Sequence, residues 1–211
     1  MSGILDLLSS DMGKALISGT ASQVGQSEEK TSSVLTMALP VLMGAMKRNA
    51  STSEGSAGLM EAINGKHDGS ILNDLGGFFG GGVDQHVMDD GAGILEHVLG
   101  GSQNNVTSAL SQKSGIDAGS IMQILKITAP IVMGYLGKET RQNQVSENGI
   151  GDLLGGLLGG GSAQPKQQSM IESLLDGDND GSILDDVAGM VLNSDSKKGG
   201  LGGLLGGLFG K

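Results

Sequence analysis

Three carboxylates stand at alternate positions, Asp176, Asp178 and Asp180, directly before Gly181 and Ser182. Calcium takes about six to eight oxygens, and an EF-hand loop supplies them from its first, third, fifth and seventh positions, with glycine at the sixth. Asp176, Asp178, Asp180, Gly181 and the carbonyl of Ser182 fill those places in order, and Ile183 is the apolar residue usual at the eighth. The bidentate acid that closes such a loop is missing, because Val187 holds the twelfth position and Leu184 the ninth. Asp186 or Asp185 is left to close a shortened loop. A Ca²⁺ site built this way is weak, in the range of extracellular modules, about 10⁻⁴–10⁻³ M. The competing reading is a helix start, in which Ser182 is the N-cap and Asp185 completes a capping box. The two readings stand level.

Little else in the chain has the types or spacing for chemistry. His67, His86 and His97 include no pair at i, i+4, and with no Cys there is no thiolate ligand, thiol nucleophile or disulfide. No serine sits in a Gly-x-Ser-x-Gly elbow, and the glycine runs lack the Gly-Lys-Ser/Thr ending of a phosphate loop. No catalytic residue and no cofactor other than Ca²⁺ is expected. The net charge is −10, and the 13 basic residues are scattered apart from the pairs Lys47-Arg48 and Lys197-Lys198. A nucleic-acid partner needs clustered cations and stacking aromatics, so none is expected.

The elements that position these residues come from an unusual composition. Gly makes up 39 of 211 residues, where about 7% is usual. Aromatics are 2%, so Leu, Ile, Val, Met and Ala must build the core. The N-terminus shows no basic, apolar leader, and nowhere do eighteen apolar residues run together. The cytoplasm is the expected compartment.

The architecture shows in a repeat. Leu35-Thr36-Met37-Ala38-Leu39-Pro40-Val41-Leu42-Met43-Gly44-Ala45-Met46 matches Leu125-Lys126-Ile127-Thr128-Ala129-Pro130-Ile131-Val132-Met133-Gly134-Tyr135-Leu136 without a gap. A fixed-period match means that one structural unit is used twice. Upstream, Leu16, Ser18, Gly25 and Val34 fall on Val106, Ser108, Gly115 and Ile124. Each half reads as a short helix, a break at Gly25 or Gly115, and a longer helix, over about residues 27–49 and 117–141. Leu35, Leu39, Leu42, Met46, Leu125, Ala129, Val132 and Leu136 should be buried. Pro40 and Pro130 predict a kink or a restart, and Gly44 and Gly134 a close approach of another backbone.

A second recurring element is an Asp-Gly turn leading into a short amphipathic helix. It occurs at residues 64–75, 176–187 and, more loosely, 89–99. In the copy at 64–75, Ser70 with Asn73 makes a cruder capping box than Ser182 with Asp185. The first and third residues of that loop are Asn64 and Lys66, so it cannot gather the same charge. Two Gly/Leu tracts follow. Ile150, Leu153, Leu154, Leu157 and Leu158, and later Leu201, Leu204, Leu205 and Leu208, recur at helical spacing beside rows of glycine. Each interior Gly costs about 0.8–1 kcal/mol against Ala, so neither tract is a solitary helix in water. Burial must come from a second copy, the main domain or a membrane surface, and a disordered linker is the alternative. The organisation expected is a helical domain at 1–145, a Gly/Leu-rich linker at 146–169, the acidic loop with short helices at 170–196, and a tail at 197–211.

The order of Asp68-Gly69-Ser70-Ile71-Leu72, Gly93-Ile94-Leu95-Glu96-His97-Val98-Leu99-Gly100, Ser114-Gly115 and Ala129-Pro130-Ile131-Val132-Met133-Gly134 resembles the YidB-like bacterial proteins, a family of unknown function. The resemblance covers roughly residues 1–140. It implies a multihelical, all-α bacterial domain and no reaction. From the residues themselves, the expected role is a non-enzymatic interaction or scaffolding protein that self-associates as a homo-oligomer or through a protein partner. Peripheral membrane contact through the Gly/Leu tracts is open, and the alternative function is a weak Ca²⁺-binding module.

Overall fold

Local capping chemistry sets where the helices begin. The computed structural model describes residues 4–159. After α1 (Ile4–Ser9), the hydroxyl of Ser10 accepts from the Gly13 N–H to open α2 (Asp11–Val24). Gly25, at φ 65°, closes α2 in the left-handed region, and Ser27 caps α3 (Glu28–Asn49), with Glu28 and Glu29 in its first turn and Lys47 and Arg48 in its last. That charge order complements the helix dipole. Thr52 then caps α4 (Ser53–Gly65). A 3₁₀ turn, Ser70–Asn73, and a short α5 (Leu75–Gly80) follow, and then α6 (Gln85–Leu99). The α2–α3 pattern returns as α7 (Gln103–Ser114) and α8 (Ala118–Gln142), with Gly115 at φ 67° between them and Asp117 as the cap. A 3₁₀ turn at Glu147–Gly149 leads into α9 (Ile150–Gly159).

The fold is all-α, with no strand among the described residues. Both repeated helices follow the expected pattern closely. Leu35, Leu39, Leu42 and Met46 of α3 and Leu125, Ala129, Val132 and Leu136 of α8 are all at most 1% exposed. A fully buried side chain of this size contributes about 1.5–3 kcal/mol of transfer free energy, so these two helices carry much of the core. The remaining helices pack around them: α1 and α2 on α3, α6 and α7 on α8.

One expectation is narrowed and two need correction. First, of the kink or restart expected at each proline, the restart does not occur, because both long helices run through their prolines. Pro130 lacks the N–H that would bond the Lys126 carbonyl, and the backbone of Gly91 in α6 comes up against that carbonyl. Second, the sequence Asp89-Asp90-Gly91 is not a turn but lies inside α6, because Asp84 starts the helix earlier by accepting from the His86 N–H. Third, Ser70 caps nothing; Asp74 accepts from the Gly77 N–H and starts α5.

The stretch from Ile150 is a packed helix. Ile150, Leu153, Leu154 and Leu157 are at most 4% exposed, and α9 lies against α3 and α4. Its glycines face the end of α3. A Cβ built on Gly155 would lie 3.3 Å from Lys47 Nζ, and one on Gly151 would lie 4.0 Å from the Ala50 carbonyl. Of the partners that this tract required, the main domain supplies the burial.

Candidate functional site

The described Asp-Gly turn is a docked plug. It leaves the end of α4 at Gly65 and swings back over α8. Gly69 takes φ 94°, which L side chains rarely adopt. Asp68 fixes the turn, its Oδ1 accepting from the Ser70 N–H at 2.9 Å while its Oδ2 lies 3.4 Å from Arg141 Nη2. Ser70 first, and Arg141 after it, hold the Asp68 carboxyl below the usual carboxylate range. The turn thus spends its carboxylate on a backbone N–H and on α8.

Two glycines of α8 receive it. A Cβ at Gly134 would lie 2.5 Å from Ile71 Cγ2 and 3.7 Å from the Gly69 Cα, and one at Gly137 would run into the His67 carbonyl. Leu72 is buried beside them. Sequence spacing pointed to Gly134 but missed Gly137, although the two share one face of α8 at i, i+3. On α3 the matching residues are Gly44 and Lys47. A Cβ built on Gly44 meets nothing within 4 Å, and Met37 and Val41 on the same stripe are only half-buried, whereas their counterparts Ile127 and Ile131 are fully covered.

His67 is 7% exposed, and its Nε2 lies 3.5 Å from Asp90 Oδ2. Burial lowers its pKa, against the opposing pull of Asp90 and with a smaller push from Lys66. His86 and His97 are both exposed. Among the described residues no three His, Cys, Asp or Glu side chains gather as a metal centre would need.

An open groove of about 280 Å³ runs beside the turn, lined by Asp68, Ser70, Asn73, Lys138, Arg141 and Gln142. A second, of about 350 Å³, lies between Asn143 and Leu153. Helix α8 is long and apolar enough to cross a bilayer, but most of its apolar window is buried inside the domain, as in a core helix. Burial pushes the lone tyrosine, Tyr135, up to about 12. Asp176, Asp178, Asp180, Ser182 and Asp186, the Ca²⁺ ligands expected from sequence, lie outside the described residues, as does the tract at 199–211.

With this geometry in place, the comparisons with known proteins give one result. The chain belongs to a bacterial protein family of unknown function (DUF937), whose model matches residues 6–139 and 141–211. The YidB-like resemblance agrees with this, and the match reaches beyond residue 140 to take in the acidic loop and the terminal tract. No curated protein and no solved structure matches the chain.

Proposed function

We propose that the protein is a non-enzymatic interaction or scaffolding protein that self-associates through its terminal Gly/Leu tract, residues 199–211. One observation carries the reading. The first Gly/Leu tract, in α9, turns its Leu stripe onto α3 and α4 and sets its glycines against the end of α3. A sequence of this pattern therefore serves in this chain as a packing element that takes an apolar partner. The terminal tract repeats the pattern at Leu201, Leu204, Leu205 and Leu208, with Gly199, Gly203 and Gly207 beside them, and a second copy offers it an identical stripe. Glycine rows let two backbones approach closely, which gains dispersion contact at small cost in side-chain entropy.

Light scattering on the full chain across a concentration series tests this. The mass should rise with concentration, and Leu204→Asp with Leu205→Asp should hold it at 21.2 kDa. A wild-type chain that stays monomeric at the highest concentration overturns the reading. The rival function, a weak Ca²⁺ module at Asp176, Asp178, Asp180, Ser182 and Asp186, rests on spacing alone. The related turn uses Asp68 on Ser70 and Arg141, which favours a structural role for the pattern.

A further inference from the structure

Helix α9 is held by its seat and only loosely by the chain that leads into it. Ile150, Leu153, Leu154 and Leu157 bury their stripe on α3 and α4, in the first half of the domain, and α8 is not among the principal partners of α9. The 3₁₀ turn Glu147–Gly149 rests on α4 as well, so it belongs with α9. What remains between α8 and this unit is the stretch at 143–146. Asn143, Gln144 and Ser146 there are exposed, Val145 is half-buried, and the groove of about 350 Å³ opens between them and the first turn of α9.

That short hinge departs from the turn chemistry used elsewhere in the chain. The Val145 N–H donates to the Thr140 carbonyl and closes α8 around Gln144, at φ 51°. Helix α2 closes in the same way, the Gln26 N–H donating to the Ala21 carbonyl around Gly25, at φ 65°. Glycine suits this place because the Cβ of an L residue is crowded against the following carbonyl oxygen. Among the described residues Gln144 is the one residue other than glycine with a positive φ, in a chain of 39 glycines. The reversal that folds α9 back onto its own chain is the strained one.

We infer that the turn at Gln144 opens and that residues 147–159 exchange between two copies of the chain, the α9 of each lying on α3 and α4 of the other. The glycine-rich helix is unstable alone in water, so its Leu stripe needs an α3–α4 seat, and a second copy has the identical one. Every contact between α9 and its seat survives the exchange. The closed and exchanged forms therefore differ only at the hinge and in the entropy of association. Opening lets Gln144 leave the left-handed region, and strain in a short connection tips a chain toward exchange. This contact makes no use of the tract at 199–211 and stands apart from association through it.

The chain contains no Cys, so two introduced thiols read whose seat each α9 fills. Ala50→Cys with Gly151→Cys places them across the α3–α9 contact, where a Cβ built on Gly151 lies 4.0 Å from the Ala50 carbonyl. The full-length protein carries Leu204→Asp and Leu205→Asp throughout, which removes association through the terminal tract, so the two readings fail separately. It is concentrated, held just below its melting point, cooled, separated by size and treated with a short bismaleimide. In the monomer fraction the bridge should form within one chain. In the dimer fraction it should join two chains and survive on a denaturing gel. Adding Gln144→Gly relieves both hinges of a dimer and should weaken dimerisation at least about tenfold. A dimer bridged only within its chains has another interface and overturns the exchange. So does a chain that forms no dimer, a pair that bridges in neither fraction, or a dimerisation constant that Gln144→Gly leaves unchanged or strengthens.

Discussion

His67 is held neutral by its surroundings. The carboxylate of Asp90 would favour the imidazolium, but burial outweighs it and Lys66 adds a like charge. With the folded pKa below the ordinary 6.5, the unfolded chain takes up the proton first. The stabilisation is therefore fully present above about pH 6.5 and is lost as pH falls from there through the folded value. The carboxyls of Asp68 and Asp117 are lowered too, but from 3.8, so their losses fall in a more acidic window. Urea unfolding at pH 7 and pH 5 isolates the histidine. Wild type should lose stability between the two, and His67→Gln should lose clearly less. An unchanged difference in the variant would mean that the side chain is already solvated.

At the scale of helices, the crossing of α6 over α8 depends on one missing side chain. Pro130 leaves the Lys126 carbonyl without its helical partner, and Gly91 brings its backbone there; a Cβ at that position would collide with the carbonyl oxygen. Gly93, two residues further on and on the opposite side of the same helix, is exposed and meets nothing within 4 Å. Gly91→Ala should cost about 1–3 kcal/mol as an overpacked contact, while Gly93→Ala should gain up to about 1 kcal/mol from helix propensity. Thermal melts of the two single variants should move in opposite directions; a shift of the same sign in both would remove the crossing as the cause. The same site shows where sequence reading stopped short. Asp89-Asp90-Gly91 has the composition of a turn, and only the distant demand of α8 makes it helical. The long helices were legible because their information is local: caps at Ser27 and Asp117, breaks at Gly25 and Gly115, and an apolar period that the structure buries residue for residue. The turn at Ser70 and the seat at Gly137 were not, since both are set by contacts far along the chain.

Across the whole molecule, α9 is the hardest element to read from sequence. Its glycines argue against a helix by about 0.8–1 kcal/mol each, and nothing local offsets that. The compensation is long-range, from Leu stripes buried on α3 and α4. If α9 belongs to the one core that α3 and α8 share, its loss should be felt where it makes no principal contact. Tyr135 on α8 is the single tyrosine in a chain without Trp, so tyrosine fluorescence reports α8 alone. Leu154 is fully buried in α9, and Leu154→Ala should cost about 2–5 kcal/mol through lost transfer energy and the cavity left behind. In a cooperative unit this cost lowers the denaturation midpoints of helical circular dichroism and of Tyr135 fluorescence together. A dichroism change with the fluorescence midpoint unmoved would show instead that α9 melts separately, as an appendage on a domain that ends before it.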